Sequence, residues 1–156
     1  MPVELALYQP DIAQNTGTLL RLGACLGVTI HIIHPTGFLF SRRELKRSGM
    51  DYLDLAEIVE HDSYAHFDAA RRAAGRRLVL LTTKASESAY ATAYRETDIL
   101  LLGRESAGVP SKVAADADLR LRIPMLADRR SLNVAVAASL ILGEALRQTG
   151  RFEALT

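Results

Sequence analysis

"DILLLGRESAGVP", residues 98–110, runs from four consecutive apolar residues into an Arg-Glu pair set between two glycines, and stops at a proline. A strand with one wet face alternates apolar and polar residues. An unbroken apolar run that ends in turn residues therefore predicts a strand covered on both faces, as in a parallel sheet. "RLVLLTT" (77–83) is a second strand of that kind. Working outward, "VELALY" (3–8) and "VTIHIIH" (28–34) predict two earlier strands, "EIV" (57–59) a weaker one, and the alternating "DLRLRIP" (118–124) a last one. Helices fall between them. Residues 15–27 put Leu19, Leu22 and Leu26 on one stripe, and Ser41 caps a short helix through Lys46 with Gly49 as its stop. Asp62 or Ser63 caps a helix through Ala74 that Gly75 ends, Pro110 opens a short helix to Ala115, and the final helix runs from Ser131 to about Gln148. Strands alternating with helices predict an α/β fold: a single-domain parallel sheet with helices on both faces. No repeat, low-complexity tract or linker divides residues 1–156.

The final helix, "SLNVAVAASLILGEALRQ" (131–148), is apolar on nearly every face and must be buried nearly all round. Asn133, Ser139, Gly143 and Glu144 interrupt it, so it lacks the run of about 20 apolar residues that a membrane span needs. A small domain has limited means to surround one helix. A twofold partner covering its outer side predicts a homodimer.

With 49% hydrophobic and 24% charged residues, the chain sits in the ordinary globular class and far from the disordered one. A net charge of +1 suits an enzyme better than a protein that coats DNA, and neither DNA nor a membrane is an expected partner. Basic residues gather in "RRELKR" (42–47), in "RRAAGRR" (71–77) and at Arg120, Arg122, Arg129 and Arg130. Such clusters are commonly solvated faces, yet three of them leave room for a polyanion. Cys25, the single cysteine, stands beside Leu22 and Leu26 and reads as a small buried hydrophobe. That usage, with an N-terminus lacking a secretory pattern, predicts a cytoplasmic protein whose mature form starts at Met1.

Common chemistries find no support. "QPDIAQNTG" (9–17), where a glycine fingerprint would follow the first strand, lacks its spacing, and no Walker sequence occurs, which argues against NAD and P-loop hydrolysis. His31 and His34, three apart on a strand, face opposite ways, and His61 and His66 lack an evident partner set, so no metal site is expected. There is no Gly-x-Ser-x-Gly elbow.

Three loops remain. "PDIAQNTG" (10–17) offers Asn15 at a helix start with Arg21 about a turn and a half further on; each alone reads as a helix cap and a surface cation. In "GRESAGVP" (103–110), Gly103 gives a ligand close approach to the strand end, Gly108 permits a tight turn, and Glu105 lies between; the alternative is a surface Arg-Glu turn. In "IPMLADRRSLNVAVA" (123–137), Ser131 caps the last helix, whose amides face an anion or polar ligand. Ligands of α/β sheets sit beyond the carboxyl ends of the strands, so the ends at Thr82, Gly103 and Ile123 predict one cleft built from separate loops.

Taken together and in order, "NTG…R" (15–21), "GRESAGVP" and "IPM…SLNVAVA" (123–137) resemble the three motifs of the SPOUT RNA ribose methyltransferases, and the resemblance spans nearly the whole chain. "LYQPDIAQNTG", "HIIHPTGF", "RSGMDY", "LLTTK" and "RIPM" narrow it to the short TrmL-like branch, which acts on the tRNA wobble nucleotide. The resemblance implies a C-terminal trefoil knot over about residues 77–150, a homodimer, and S-adenosylmethionine as methyl donor, with S-adenosylhomocysteine as product and no metal. It implies a tRNA substrate, methylated at the ribose 2′-OH of cytidine 34 or 5-carboxymethylaminomethyluridine 34 of leucine tRNAs. Cofactor contacts fall by resemblance on Leu81, Gly103, Ile123 and Ser131, with Thr82, Met125 and Leu132 as neighbours, through backbone hydrogen bonds and apolar packing. Arg21 matches the motif-one arginine. A guanidinium is a poor proton acceptor, so its expected role is to clamp the adjacent phosphate and favour a developing alkoxide. Asn15, Glu105, Ser131 and Asn133 are expected to orient Arg21 or the ribose.

Two departures stand out: Arg104 occupies a position where relatives commonly have proline, and "SAG" replaces Thr-x-Gly. With no added RNA-binding domain, the grip on tRNA is expected from the dimer surface, with Arg42, Arg43, Lys46, Arg129 and Arg130 as candidates. The alternatives are the same fold acting on another tRNA or rRNA nucleotide, and a knotted RNA-binding module without catalysis. The intact Asn15, Arg21, Glu105 and Ser131 count against the second.

Overall fold

Strand β6, Asp98–Leu102, is buried at every position in the structure, a computed structural model that describes residues 2–47, 53–129 and 131–155. The expected stop at Gly49, most of "RSGMDY" and the candidate Arg130 lie outside the described residues. β6 pairs in parallel with β1 (Glu4–Tyr8) on one side and β4 (Arg77–Leu81) on the other, so Leu5, Leu100 and Val79 stand in one row. With β2 (Ile30–Ile33), β3 (Ile58–His61), β5 (Glu87–Ser88) and β7 (Leu119–Arg122), they form a seven-stranded parallel sheet in the order β3-β2-β1-β6-β4-β7-β5. β5 escapes sequence reading because two residues without an apolar pattern carry no period.

Alternation along the strands builds two cores. Leu5, Leu7, Leu100 and Leu102 face helices α1 (Ala13–Leu26) and α5 (Val134–Gln148), meeting Leu19, Leu20, Ala138 and Ile141. Ala6, Tyr8, Ile99 and Leu101 face the other way, with Phe67 of α3 (Tyr64–Ala73) and Val113 of α4 (Ser111–Asp116). Helices thus cover both faces, as expected. A short helix, α2 (Arg42–Arg47), follows β2, and Ser41 Oγ accepts its Glu44 N–H at 3.4 Å. Ser63, not Asp62, caps α3 by accepting from His66 N at 3.2 Å.

Several local expectations change. Helix α1 begins at Ala13, with Ile12 at the cap position and no side-chain cap bond, so Asn15 is not a cap. Helix α5 is capped by Asn133, whose Oδ1 accepts from Ala135 N at 2.8 Å and Val136 N at 3.3 Å; Ser131 lies outside the helix and is not the cap. Cys25 is exposed, not buried: the buried positions of α1 are Thr16, Gly17, Leu19, Leu20 and Gly23, and two residues past Gly23 lies about 200° around the helix. Within one chain α5 is buried on one side only, through Ala135, Ala138, Ile141, Leu142, Ala145 and Leu146, while Val136 is 49% and Leu140 40% exposed.

The cluster "RRAAGRR" turns inward rather than offering a polyanion face. Gly75, at φ +69°, reverses the chain from α3 into β4 and brings four arginines against carboxylates at the strands' amino-terminal ends. Arg77 binds the fully buried Asp98 through Nε at 2.7 Å and Nη2 at 2.8 Å. Buried Arg76 meets Glu4 at 3.1 Å and donates to the Pro2 carbonyl at 2.9 Å. Buried Arg71 reaches Asp68 at 2.8 Å and Asp118 at 3.2 Å. Exposed Arg72 meets the other oxygen of Asp68 at 2.9 Å. Burial alone would raise the Asp68 carboxyl, but Arg72 and Arg71 outweigh it and hold it below the usual carboxylate value.

His31 and His34 part as expected: His31 Nε2 lies 2.9 Å from Glu4, and His34 Nε2 lies 2.8 Å from Glu60. His61 does have a partner, His31 Nδ1 at 2.9 Å, with the rings stacked. Burial, helped by repulsion from His31 and His66, lowers the His61 imidazole below its usual value. Among the described residues, no three side chains group as metal ligands, and no helix is long and apolar enough to cross a membrane.

Candidate active site

Beyond the carboxyl-terminal ends of β4, β6 and β7 the loops enclose a cleft of about 1150 Å³. The end of β4 places Leu81 and Thr82 in its wall, the end of β6 places Gly103, and the end of β7 places Ile123 and Met125. The segment leading into α5 adds Ser131 and Leu132. Every position assigned to the cofactor by resemblance therefore lies in one wall, joined there by Asn15, Glu105 and Asn133.

These last three are bonded to one another. Asn15 sits in the first turn of α1, and its Nδ2 donates to Glu105 Oε1 at 3.5 Å while its Oδ1 accepts from Asn133 Nδ2 at 3.1 Å. One amide thus ties together loops more than 80 residues apart in sequence, separated by 90 positions on one side and 118 on the other. Asn133 spends its carbonyl on the N-cap of α5 and its amino group on Asn15, so helix start and site share a residue.

Sequence reading missed Asp11. Its N–H donates to Glu105 Oε2 at 3.3 Å, Glu105 N–H donates back to Asp11 Oδ1 at 3.2 Å, and Ser106 Oγ donates to Asp11 Oδ2. The loop of Gly37 backs this staple: Gly37 N–H donates to the Pro10 carbonyl at 2.9 Å, and a Cβ at Gly37 would lie 2.7 Å from Asp11 Cβ. The only sequence signal was an acid just ahead of a helix start, after proline. Hydrogen bonding with Glu105, aided by Ser106 and backbone amides, holds the Asp11 carboxyl low. Burial first, then Asp11 beside it, raises the Glu105 carboxyl. Of the two, Glu105 is the one that keeps a proton longer as pH rises.

The "GRESAG" stretch is a closed loop. Arg104 N–H donates to the Gly108 carbonyl at 3.0 Å and Gly108 N–H to the Arg104 carbonyl at 2.8 Å, with Gly108 at φ +62°. A Cβ on Gly103 would lie 2.7 Å from Gly108 Cα. Contact with Gly108 thus by itself excludes a side chain at position 103. Arg104 turns away from Glu105, its guanidinium 5.7 Å from the centre of the Tyr8 ring.

Arg21 is exposed on α1 and is not part of the cleft wall. Arg42, Arg43 and Lys46 lie on α2, also outside it; Arg42 Nη2 approaches the Ile58 carbonyl at 3.5 Å and Lys46 pairs with Asp54 at 2.7 Å. Arg129 is exposed, with its N–H donating to the Leu126 carbonyl at 3.4 Å. A cleft with peptide groups at its strand ends, apolar side chains and a chain of neutral amides suits a ligand that is flat in part and rich in hydroxyl groups.

The chain matches the SpoU rRNA Methylase family over residues 2–143. It is 56% identical over 152 residues to a protein from Ancylobacter novellus named tRNA (cytidine(34)-2'-O)-methyltransferase, covering 97% of this chain and 96% of that one. Among solved structures, one described as giving insights into the 2-OH methylation of C/U34 on tRNA superposes with a TM-score of 0.86 at 43% identity, covering 94% of this chain and 95% of the other. An AdoMet-bound rRNA methyltransferase from Sinorhizobium meliloti superposes at 0.83 with 30% identity, covering 94% of this chain and 56% of that one.

Proposed function

The chain belongs to the SpoU rRNA Methylase family, an enzyme family, and from that footing we propose that it transfers methyl from S-adenosylmethionine to the ribose 2′-OH of the tRNA wobble nucleotide. Cytidine 34 or 5-carboxymethylaminomethyluridine 34 of leucine tRNAs is the substrate in this reading. The observation that carries it is the bonded series Glu105–Asn15–Asn133, which gathers three distant loops at one cleft. The relative at 56% identity and the C/U34 structure support the nucleotide.

The wall fits the cofactor in its donor set. Peptide groups at Leu81, Gly103 and Ile123 offer hydrogen bonds to a base and ribose, with Leu81, Met125 and Leu132 as apolar cover and Thr82 and Ser131 as hydroxyls. S-adenosylmethionine supplies, when bound, an electrophilic methyl carbon on a sulfonium. The protein's task is then to place the 2′-oxygen, and positioning of this kind supplies much of a barrier reduction. Asn15, Asn133 and Glu105 hold one another and orient the ribose, with Asp11 fixing Glu105 from behind. Arg21 clamps the phosphate beside the reacting ribose and favours the developing alkoxide.

A homodimer belongs to the same reading. Val136 and Leu140 leave an apolar strip on α5, and Gly143, one turn further, has open space where a Cβ would stand. The trefoil knot over about residues 77–150 and a cytoplasmic location go with the family and with a tRNA substrate. The tRNA grip in this reading falls to Arg42, Arg43, Lys46, Arg129 and Arg130.

The test is to incubate the protein and methyl-labelled S-adenosylmethionine with tRNA from a strain lacking wobble ribose methylation, then map the label. Label on nucleotide 34 of leucine tRNAs is expected; label elsewhere overturns the substrate, and none overturns the transfer. Arg21→Lys keeps charge and loses the fork, and unchanged turnover would count against the clamp.

A further inference from the structure

Five arginines with described side chains are buried or half-buried: Arg71, Arg76, Arg77, Arg104 and Arg151. Four of them donate to carboxylates or carbonyls. Arg104 alone has a guanidinium with neither hydrogen bond nor ion pair among the described residues, and its Nε is buried without an acceptor. Its position is nonetheless fixed. The backbone is locked by the pair of bonds to Gly108, and the guanidinium carbon stands over the Tyr8 ring, 5.7 Å from its centre. A charged donor fork held in place, with no acceptor among the described side chains and backbone groups, suits an oxyanion ligand.

The topology says which side of the cleft it serves. Leu81, Thr82, Ile123 and Met125 follow β4 and β7, on one side of β6, whereas Tyr8 ends β1 on the other side. Arg104 borders the same cleft, with its guanidinium over Tyr8, on the β1 side of β6. Glu105, the next residue, faces Asp11 and Asn15, so the two charges of the loop do not neutralise each other by contact.

We propose that Arg104 binds a phosphodiester of the substrate RNA on the β1 side of the cleft, next to the nucleotide being modified. This rests on the methyl-transfer reading above and adds a contact at a position where the motif it resembles commonly has proline. Tyr8 serves as the aromatic platform beneath the guanidinium.

The test compares wild type, Arg104→Gln and Arg104→Lys for binding to an anticodon stem-loop transcript across a KCl series, and for binding of S-adenosylmethionine without RNA. Loss of one phosphate contact lowers the slope of log affinity against log salt by about 0.7 to 0.9, which amounts to about tenfold weaker RNA binding near 50 mM salt. Arg104→Gln should show that loss with unchanged cofactor affinity, and Arg104→Lys should keep the salt slope. Equal slopes in wild type and Arg104→Gln overturn the proposal alone, leaving methyl transfer standing. Weaker cofactor binding with an unchanged RNA slope also overturns it and assigns the fork to the cofactor's carboxylate. A wild-type chain that binds no RNA overturns the proposal together with the reading beneath it.

Discussion

At the amino-terminal ends of the strands, Arg71, Arg76 and Arg77 are packed against Asp68, Asp118, Glu4 and Asp98, and their charges are consumed inside the molecule. At the carboxyl-terminal ends, a run of amides and one carboxyl, Asn133, Asn15 and Glu105, bridges three loops and borders an open cleft. Both ends are polar and both are bonded. At the first, ions close a gap between α3 and the sheet; at the second, weaker and mostly neutral bonds hold a gap open. Within residues 71–77 charge is mortar, whereas the cleft is bordered by a mostly neutral series.

Breaking the first end should cost the most stability. Asp98→Ala leaves Arg77 in a half-buried position without its carboxylate and is expected to lower the unfolding free energy by about 3–5 kcal/mol in a urea titration. An effect under about 1 kcal/mol would mean that the network is decoration. Breaking the second end should cost activity instead. Glu105→Gln keeps shape but removes the charge that receives Asn15 and the Asp11 amide, and single-turnover methyl transfer is expected to fall on the order of a hundredfold, about 2.7 kcal/mol in barrier. Its melting transition should move little.

Asn133 lies where the two kinds of role meet, and a pair of substitutions separates them. Asn133→Ala loses the helix cap and should cost about 1 kcal/mol of stability. Asn133→Asp keeps an oxygen for Ala135 and Val136 but puts an acceptor opposite Asn15 Oδ1, so it should retain stability and lose transfer rate. The smallest expected effect is one of pH. Since the folded imidazole of His61 lies below its unfolded value of 6.5, the neutral form contributes stability that is present above pH 6.5 and fades as pH falls through the folded value. Urea midpoints across that range should decline on acidification, less so in His61→Gln, with transfer chemistry in the cleft unaffected because His61 is not in its wall.

The sheet was legible because its central strands are unbroken apolar runs, a pattern that only two covered faces accommodate. Helix limits were legible where a side chain caps them, as Ser63 does, and misread where two polar residues compete within one segment, as Ser131 and Asn133 do ahead of α5. The loops of the cleft could be named from their motifs, and the strand-end rule put them side by side. What could not be read was partnership across distance. Nothing in "RRAAGRR" says that its acids are Glu4, Asp98 and Asp118, nor in "QPD" that Asp11 staples residues 105 and 106. Cys25 was misjudged for a related reason: its neighbours Leu22 and Leu26 are themselves only half-buried, at the margins of the stripe formed by Leu19, Leu20 and Gly23.

The three ties of the cleft, Asp11 with Glu105, Asn15 with Glu105 and Asn15 with Asn133, span 94, 90 and 118 positions of sequence. None of them is local, so no short fragment of this chain carries the whole site. A polypeptide still emerging from a ribosome has no complete cleft until its last helix start has met its first, and a ligand that fills the whole cleft rewards only the finished fold. Occupancy of the cleft is in this sense a proofreading signal for the whole molecule: a ligand's stabilising effect, read as a shift in melting temperature with concentration, should vanish in any variant that leaves one of the three loops undocked.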